Sequence, residues 1–171
     1  RSNARGRIRA PLNGPAYTLD DGTSSTPGGN FKRSYTINQT AFANNSVHAS
    51  FSAGGVRDVG GGAVHATAFH SLIIHETDFV DNYVATQGFG SAVLTEATPS
   101  SVGKTHRVAI TDALFDNNRC RDYTGVGGAR DMRCGALSHI ANCSDGDPQS
   151  GSVYVRATIF NENGGGYGAG G

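Results

Sequence analysis

Apolar residues stand two apart in short stretches of this chain, and the stretches recur. Leu72 and Ile74 precede polar His75, and the pairs Val108 with Ile110 and Val153 with Val155 repeat the spacing. A period of two is that of a strand with one buried face, and it excludes a helical repeat. Each stretch runs on into the same phrase: Ile37-x-x-Thr40-x-Phe42-x-x-Asn45, Ile74-x-x-Thr77-x-Phe79-x-x-Asn82, Ile110-x-x-Ala113-x-Phe115-x-x-Asn118 and Val155-x-x-Thr158-x-Phe160-x-x-Asn163. The phrase reads as a strand, a bend that carries Phe into a core, and a turn closed by Asn. Asn suits the turn because its short amide bonds to backbone and tolerates left-handed geometry. Between successive copies stands a second phrase, Gly61-Gly62-Ala63-Val64, Gly90-Ser91-Ala92-Val93 and Cys134-Gly135-Ala136-Leu137, with a broken echo in Gly168-Ala169-Gly170.

The phenylalanines lie 37, 36 and 45 residues apart. A near-fixed period marks units that bury their apolar faces against their neighbours. Two strands per unit, no hairpin signal between them, no helical connection and one recurring Asn corner predict an all-β chain folded as a parallel β-helix, a solenoid of about four coils. In such a fold each strand pairs with its equivalent one coil on. Ile37, Ile74, Ile110 and Val155 then form one core ladder, and Phe42, Phe79, Phe115 and Phe160 a second. Asn45, Asn82, Asn118 and Asn163 form a third ladder, whose amides hydrogen-bond from coil to coil at the strand spacing of about 4.8 Å. The small residues of Gly-Gly-Ala and Gly-Ser-Ala permit close backbone approach at a corner. Residues 31–171 carry the repeats. Residues 1–30, with Pro11, Pro15, Pro27 and Gly28-Gly29, carry no clear copy and read as a linker or a degenerate preceding coil. The chain has no initiator Met and stops in a glycine-rich run where a new strand is due, so it is expected to be a segment of a longer polypeptide.

Composition sharpens this picture. With 25 Gly, no Trp, one Met and 16% charged residues, the chain is poor material for amphipathic helices and good material for tight turns. Fourteen basic and fourteen acidic residues cancel, which leaves no net field to steer a nucleic acid. Arg1, Arg5, Arg7 and Arg9 crowd the start, but Gly and Asn interrupt the run and no aromatics interleave with it; it reads as a solvated or partner-covered tail. No apolar run approaches the roughly 18–20 residues of a membrane span. Three glycosylation sequons begin at Asn38, Asn44 and Asn142 in a chain with few Lys and three Cys, and together they predict a secreted or cell-surface protein with N-linked glycans. Asn38 follows an inward Ile and should point out, whereas Asn44 lies in the corner, which argues against a glycan there. Cys120 and Cys134 bracket the longest insertion; a bridge between them closes a loop of about fifteen residues, worth about 3 kcal/mol in the chain-entropy model. The alternative pairing is Cys134 with Cys143, and each choice leaves one cysteine over.

Evidence for chemistry is thin. A β-helix enzyme needs paired carboxylates, or Arg and Lys with cation-binding Asp, along one outer groove. Here Asp58, Glu76, Asp78, Asp81, Glu96, Asp112, Asp116, Asp122 and Glu162 are scattered over outward strand and turn positions. The tightest group, Asp78 and Asp81 with Asp112 and Asp116 one coil away, reads as a polar rim rather than a cation site. His65, His70 and His75 are spaced by five, which fits neither a strand face nor a helical metal pair. No catalytic residues are assigned. The chain has no nucleophile elbow, P-loop or dinucleotide fingerprint, and no cofactor is expected.

The pairing of Phe42-Ala43-Asn44-Asn45, Phe79-Val80-Asp81-Asn82, Phe115-Asp116-Asn117-Asn118 and Phe160-Asn161-Glu162-Asn163 with Gly61-Gly62-Ala63-Val64 resembles the polymorphic outer-membrane protein repeat. That family is found in chlamydial autotransporter passengers and in large extracellular proteins of microbial eukaryotes. The resemblance covers residues 31–171; Ser91 and Cys134 depart from its Gly-Gly-Ala half. It implies a right-handed parallel β-helix that serves in adhesion or as a surface structural element. The resulting expectation is a non-enzymatic rod, filament or surface-layer segment whose partners are further coils of the same polypeptide or other subunits. The alternatives are an adhesin that binds through loops at 46–60, 95–106 and 119–133, and a carbohydrate-active β-helix enzyme.

Overall fold

The computed structural model describes residues 7–8, 17–19, 34–48, 59–67, 69–85, 88–97, 106–121, 135–141 and 151–165. Their regular structure is entirely β, with no helix among the described residues. Among the described residues every strand pairing is parallel, and each pairing between repeats joins equivalent positions of successive copies. Stacked parallel sheets of this kind are compatible with a parallel β-helix.

The sheets follow the phrases. In the isoleucine sheet, β3 (Ser34–Asn38), β8 (Ser71–His75), β13 (His106–Thr111) and β17 (Gly151–Arg156) set Ile37, Ile74, Ile110 and Val155 in register. In the phenylalanine sheet, β4 (Ala41–Ala43), β9 (Asp78–Val80), β14 (Leu114–Asp116) and β18 (Ile159–Asn161) align the four Phe. A valine sheet of β5 (Ser46–His48), β10 (Tyr83–Ala85), β15 (Arg119–Arg121) and β19 (Gly164–Gly165) follows each Asn. A glycine–alanine sheet of β7 (Val64–Thr67), β12 (Val93–Ala97) and β16 (Leu137–Ala141) follows each Gly-x-Ala phrase. Ahead of the repeats, β1 (Arg7–Ile8) pairs with β4 and β2 (Tyr17–Leu19) pairs with β7, so the segment before residue 31 contributes strands to two of these sheets. A two-stranded pair, β6 (Val59–Gly60) and β11 (Gly88–Phe89), completes the set.

Two strands per unit is therefore too few, because the Phe step is itself a strand. It lies between two single-residue corners in the left-handed region: Gln39, Glu76, Asp112 and Ala157 before it, and Asn44, Asp81, Asn117 and Glu162 after it, with φ between 45° and 56°. In the first three repeats each such residue turns the chain while its N–H continues the ladder, as Gln39 N to His75 O and Asp81 N to Asp116 O do. A one-residue corner leaves hydrophobic alternation almost unbroken, which hides it from a periodicity reading. The third corner needs glycine: Gly61 and Gly90 have φ of 65° and 60°, and a Cβ at either would lie 2.1 Å from the carbonyl oxygen of Val64 or Val93.

The core is the column of inward side chains from Ile37, Phe42, Val64, Leu72, Ile74, Phe79, Val93, Val108, Ile110 and Phe115. Phe69, fully buried beside it, belongs to neither phrase and was invisible to the repeat pattern. The expectation of burial fails at the last repeat. Val155 and Phe160 keep their register but are 42% and 49% exposed, because β17 and β18 are edge strands with no repeat beyond them among the described residues.

Candidate functional site

The Asn ladder is a fully hydrogen-bonded polar column inside the described stack. Asn45, Asn82 and Asn118 are almost wholly buried. The Oδ1 of Asn82 accepts from both the backbone N–H (3.2 Å) and the Nδ2 (2.9 Å) of Asn45, and the Oδ1 of Asn118 accepts the same pair from Asn82. Nδ2 uses its other hydrogen on the carbonyl of the preceding Phe, from Asn82 to Phe42 at 3.1 Å and from Asn118 to Phe79 at 2.9 Å. Each central carboxamide thus fills two donor and two acceptor places, its full capacity. This is why a polar side chain can occupy a buried column without the penalty for unpaired groups.

Alongside runs the Phe stack, with centroids 5.2, 4.7 and 4.8 Å apart and rings within 13° of parallel. Parallel strands in register force identical side chains to overlap at nearly the strand spacing, so the rings stack face to face. A third device is the Thr of the phrase, to which repetition alone assigned no role. The hydroxyls of Thr40, Thr77 and Thr158 donate to the carbonyls of Asn38, His75 and Arg156, bracing each first corner across its left-handed residue. In the third repeat Ala113 stands there instead, and the corner forms without the brace.

The ends of the stack differ. At the first repeat Ile37, Phe42 and Asn45 are buried. At the last, Val153, Val155 and Phe160 are 41–49% exposed, although their register partners Val108, Ile110 and Phe115 are fully buried. Asn163 accepts from Asn118 at its Oδ1 (3.0 and 2.8 Å) and donates one Nδ2 hydrogen to Phe115 O at 2.8 Å. Its other Nδ2 hydrogen and its backbone N–H meet no acceptor among the described residues. In the three earlier repeats those two donors reach the next Asn.

Along the outer rim, polar side chains of the described residues pair from repeat to repeat. His65 meets Glu96 at 3.1 Å on the glycine–alanine sheet, while His75 lies 2.8 Å from Thr111 Oγ1 and 3.4 Å from both Glu76 and Asp112 at the first corner. Asp81 and Asp116 accept from the amides of Asn117 and Asn161 in the following repeats. Among the described residues no group of three His, Cys, Asp or Glu is placed to hold a metal ion. Asn38 is exposed at the end of β3. Asn44 is exposed too, at its left-handed corner, and Asn45 takes the buried place. Cys120 is disulfide-bonded and buried in a small column with Val47 and Val84. Cys134, Cys143, Asn142, Arg1, Arg5, Arg9, Asp58, Asp122, Gly168-Ala169-Gly170 and nearly all of the loops at 46–60, 95–106 and 119–133 lie outside the described residues. Comparison with family models, curated proteins and solved structures finds no match.

Proposed function

We propose that this chain is a structural segment of an extracellular or cell-surface protein, without catalytic activity, wound as a right-handed parallel β-helix of about four coils. It acts as a stiff spacer or assembly unit in a rod, filament or surface layer. The observation that carries this reading is the concentration of the chain's best-placed interactions in stacking. Phe, Asn and Ile repeat in register, and their hydrogen bonds and ring contacts run along the stack. Residues spent on holding successive repeats together are those of a scaffold, and an exposed row of strand edges recruits another chain unless it is covered. Glycans at exposed Asn38 and a bridge between Cys120 and Cys134 fit a secretory origin. The test is light scattering and electron microscopy of the purified chain. Self-association into elongated particles, whose growth is slowed by Phe160→Glu, is the expected result; a monomer that stays monodisperse at high concentration rejects it.

A further inference from the structure

Two asparagines of the first repeat behave unlike the others. Eight asparagines fall among the described residues, and six of them have the carboxamide engaged. Asn45, Asn82, Asn118 and Asn163 donate from Nδ2 within the buried ladder, and Asn117 and Asn161 donate to Asp81 and Asp116 of the repeat before. The remaining two, Asn38 and Asn44, are exposed, and neither carboxamide makes a hydrogen bond. These two are also the only described asparagines that open an Asn-x-Ser/Thr triplet, Asn38-Gln39-Thr40 and Asn44-Asn45-Ser46. The corner that holds Asn44 is the same left-handed turn as at Asp81 and Asn117, with φ between 51° and 56°, yet Asn117 ties its amide to Asp81 and Asn44 leaves its own unused. Within the second triplet the fold separates the roles. Asn45 is buried in the ladder and Ser46 is partly buried on β5, so only Asn44 reaches solvent.

We infer that Asn44 is an N-glycan acceptor alongside Asn38, so that the first repeat carries oligosaccharides at both corners that flank β4. The Nδ2 of Asn44 bonds to the anomeric carbon of an oligosaccharide delivered on a lipid pyrophosphate. That nitrogen loses a proton, and the bond from the same carbon to the pyrophosphate breaks. A glycan is bulky and solvated, so the folded chain can carry one only where the acceptor is exposed and its amide is not needed by the fold. Asn44 meets both conditions, and its corner position therefore does not bar it. The inference rests on the proposed extracellular origin and adds a modification site to it.

The test uses the full 171-residue chain secreted from a eukaryotic host. Peptide-N-glycosidase in heavy-oxygen water turns each glycosylated Asn into an Asp that carries the label, which peptide mass spectrometry locates. Label at both Asn38 and Asn44 is the expected result; label at Asn38 with Asn44 unchanged overturns the inference. Ser46→Ala, which removes the triplet and leaves Asn44 in place, should abolish the label at Asn44 and keep it at Asn38. Label that persists at Asn44 in this variant marks spontaneous deamidation and also overturns it. Asn44→Gln should remove one glycan's mass and leave the thermal unfolding midpoint of the deglycosylated chain unchanged; a lowered midpoint would show that the fold does use this amide. The extracellular reading is judged separately, on native material. Both sites bare there reject that reading and this inference with it, whereas a glycan on Asn38 alone rejects only the assignment of Asn44.

Discussion

At the scale of single residues, the carboxamide of Asn82 does more than any apolar side chain of its size could. Asn82→Leu removes the acceptor of the backbone N–H and one amide hydrogen of Asn45, and one donor to the Oδ1 of Asn118. At about 1–3 kcal/mol for each buried group left unpaired, the variant should lose about 3 kcal/mol or more, read as a lowered midpoint in urea unfolding. Thr77→Val removes a single hydroxyl bond to His75 O with little change of shape and should cost about 1 kcal/mol. The left-handed corners give a change of opposite sign. Ala157, exposed at φ 49°, carries the steric cost of that region without a side chain that bonds back, so Ala157→Gly should stabilise by about 0.5–1 kcal/mol in the same measurement.

At the scale of the element, register converts a repeated residue into a column, and position along the column sets its worth. Phe79 has a ring on either face and is fully buried, whereas Phe160 has one stacked neighbour and is half exposed. Phe79→Ala should cost about 3–5 kcal/mol and Phe160→Ala less than half of that, which thermal unfolding of the pair will show. Strand periodicity and the spacing of Phe to Asn made the phenylalanine and asparagine columns legible without coordinates, because a parallel ladder places equals on equals. The corners were less legible. Gln39, Glu76, Asp112 and Ala157 share no chemistry, so nothing in their identities announces a common left-handed turn. The turn is imposed by the strands on either side, which must change sheets within one residue.

At the scale of the whole molecule, burial is uneven along the stack. Among the described residues Ile37, Phe42 and Asn45 are buried, whereas Val155 and Phe160, which have no described repeat beyond them, are about half exposed. The covalent expectations are checked at the same scale. Non-reducing peptide mapping of native material should recover Cys120 joined to Cys134, and mass spectrometry should find a glycan on Asn38; Cys120 joined instead to Cys143 would overturn that pairing, and Asn38 bare would remove most of the case for the secretory reading. The chain's own residues determined the class of structure, the stacking register and the members of each ladder, because alternation and a fixed period are local properties that a single strand already displays. Tertiary structure alone decided that each repeat supplies three to five described strands, each to a different sheet, instead of two, that the corner residue Asn44 faces out, and that Val155 and Phe160 are exposed where no described repeat follows. Those outcomes depend on which neighbour lies across the stack, and a burial pattern written along the chain carries no record of where the neighbours run out.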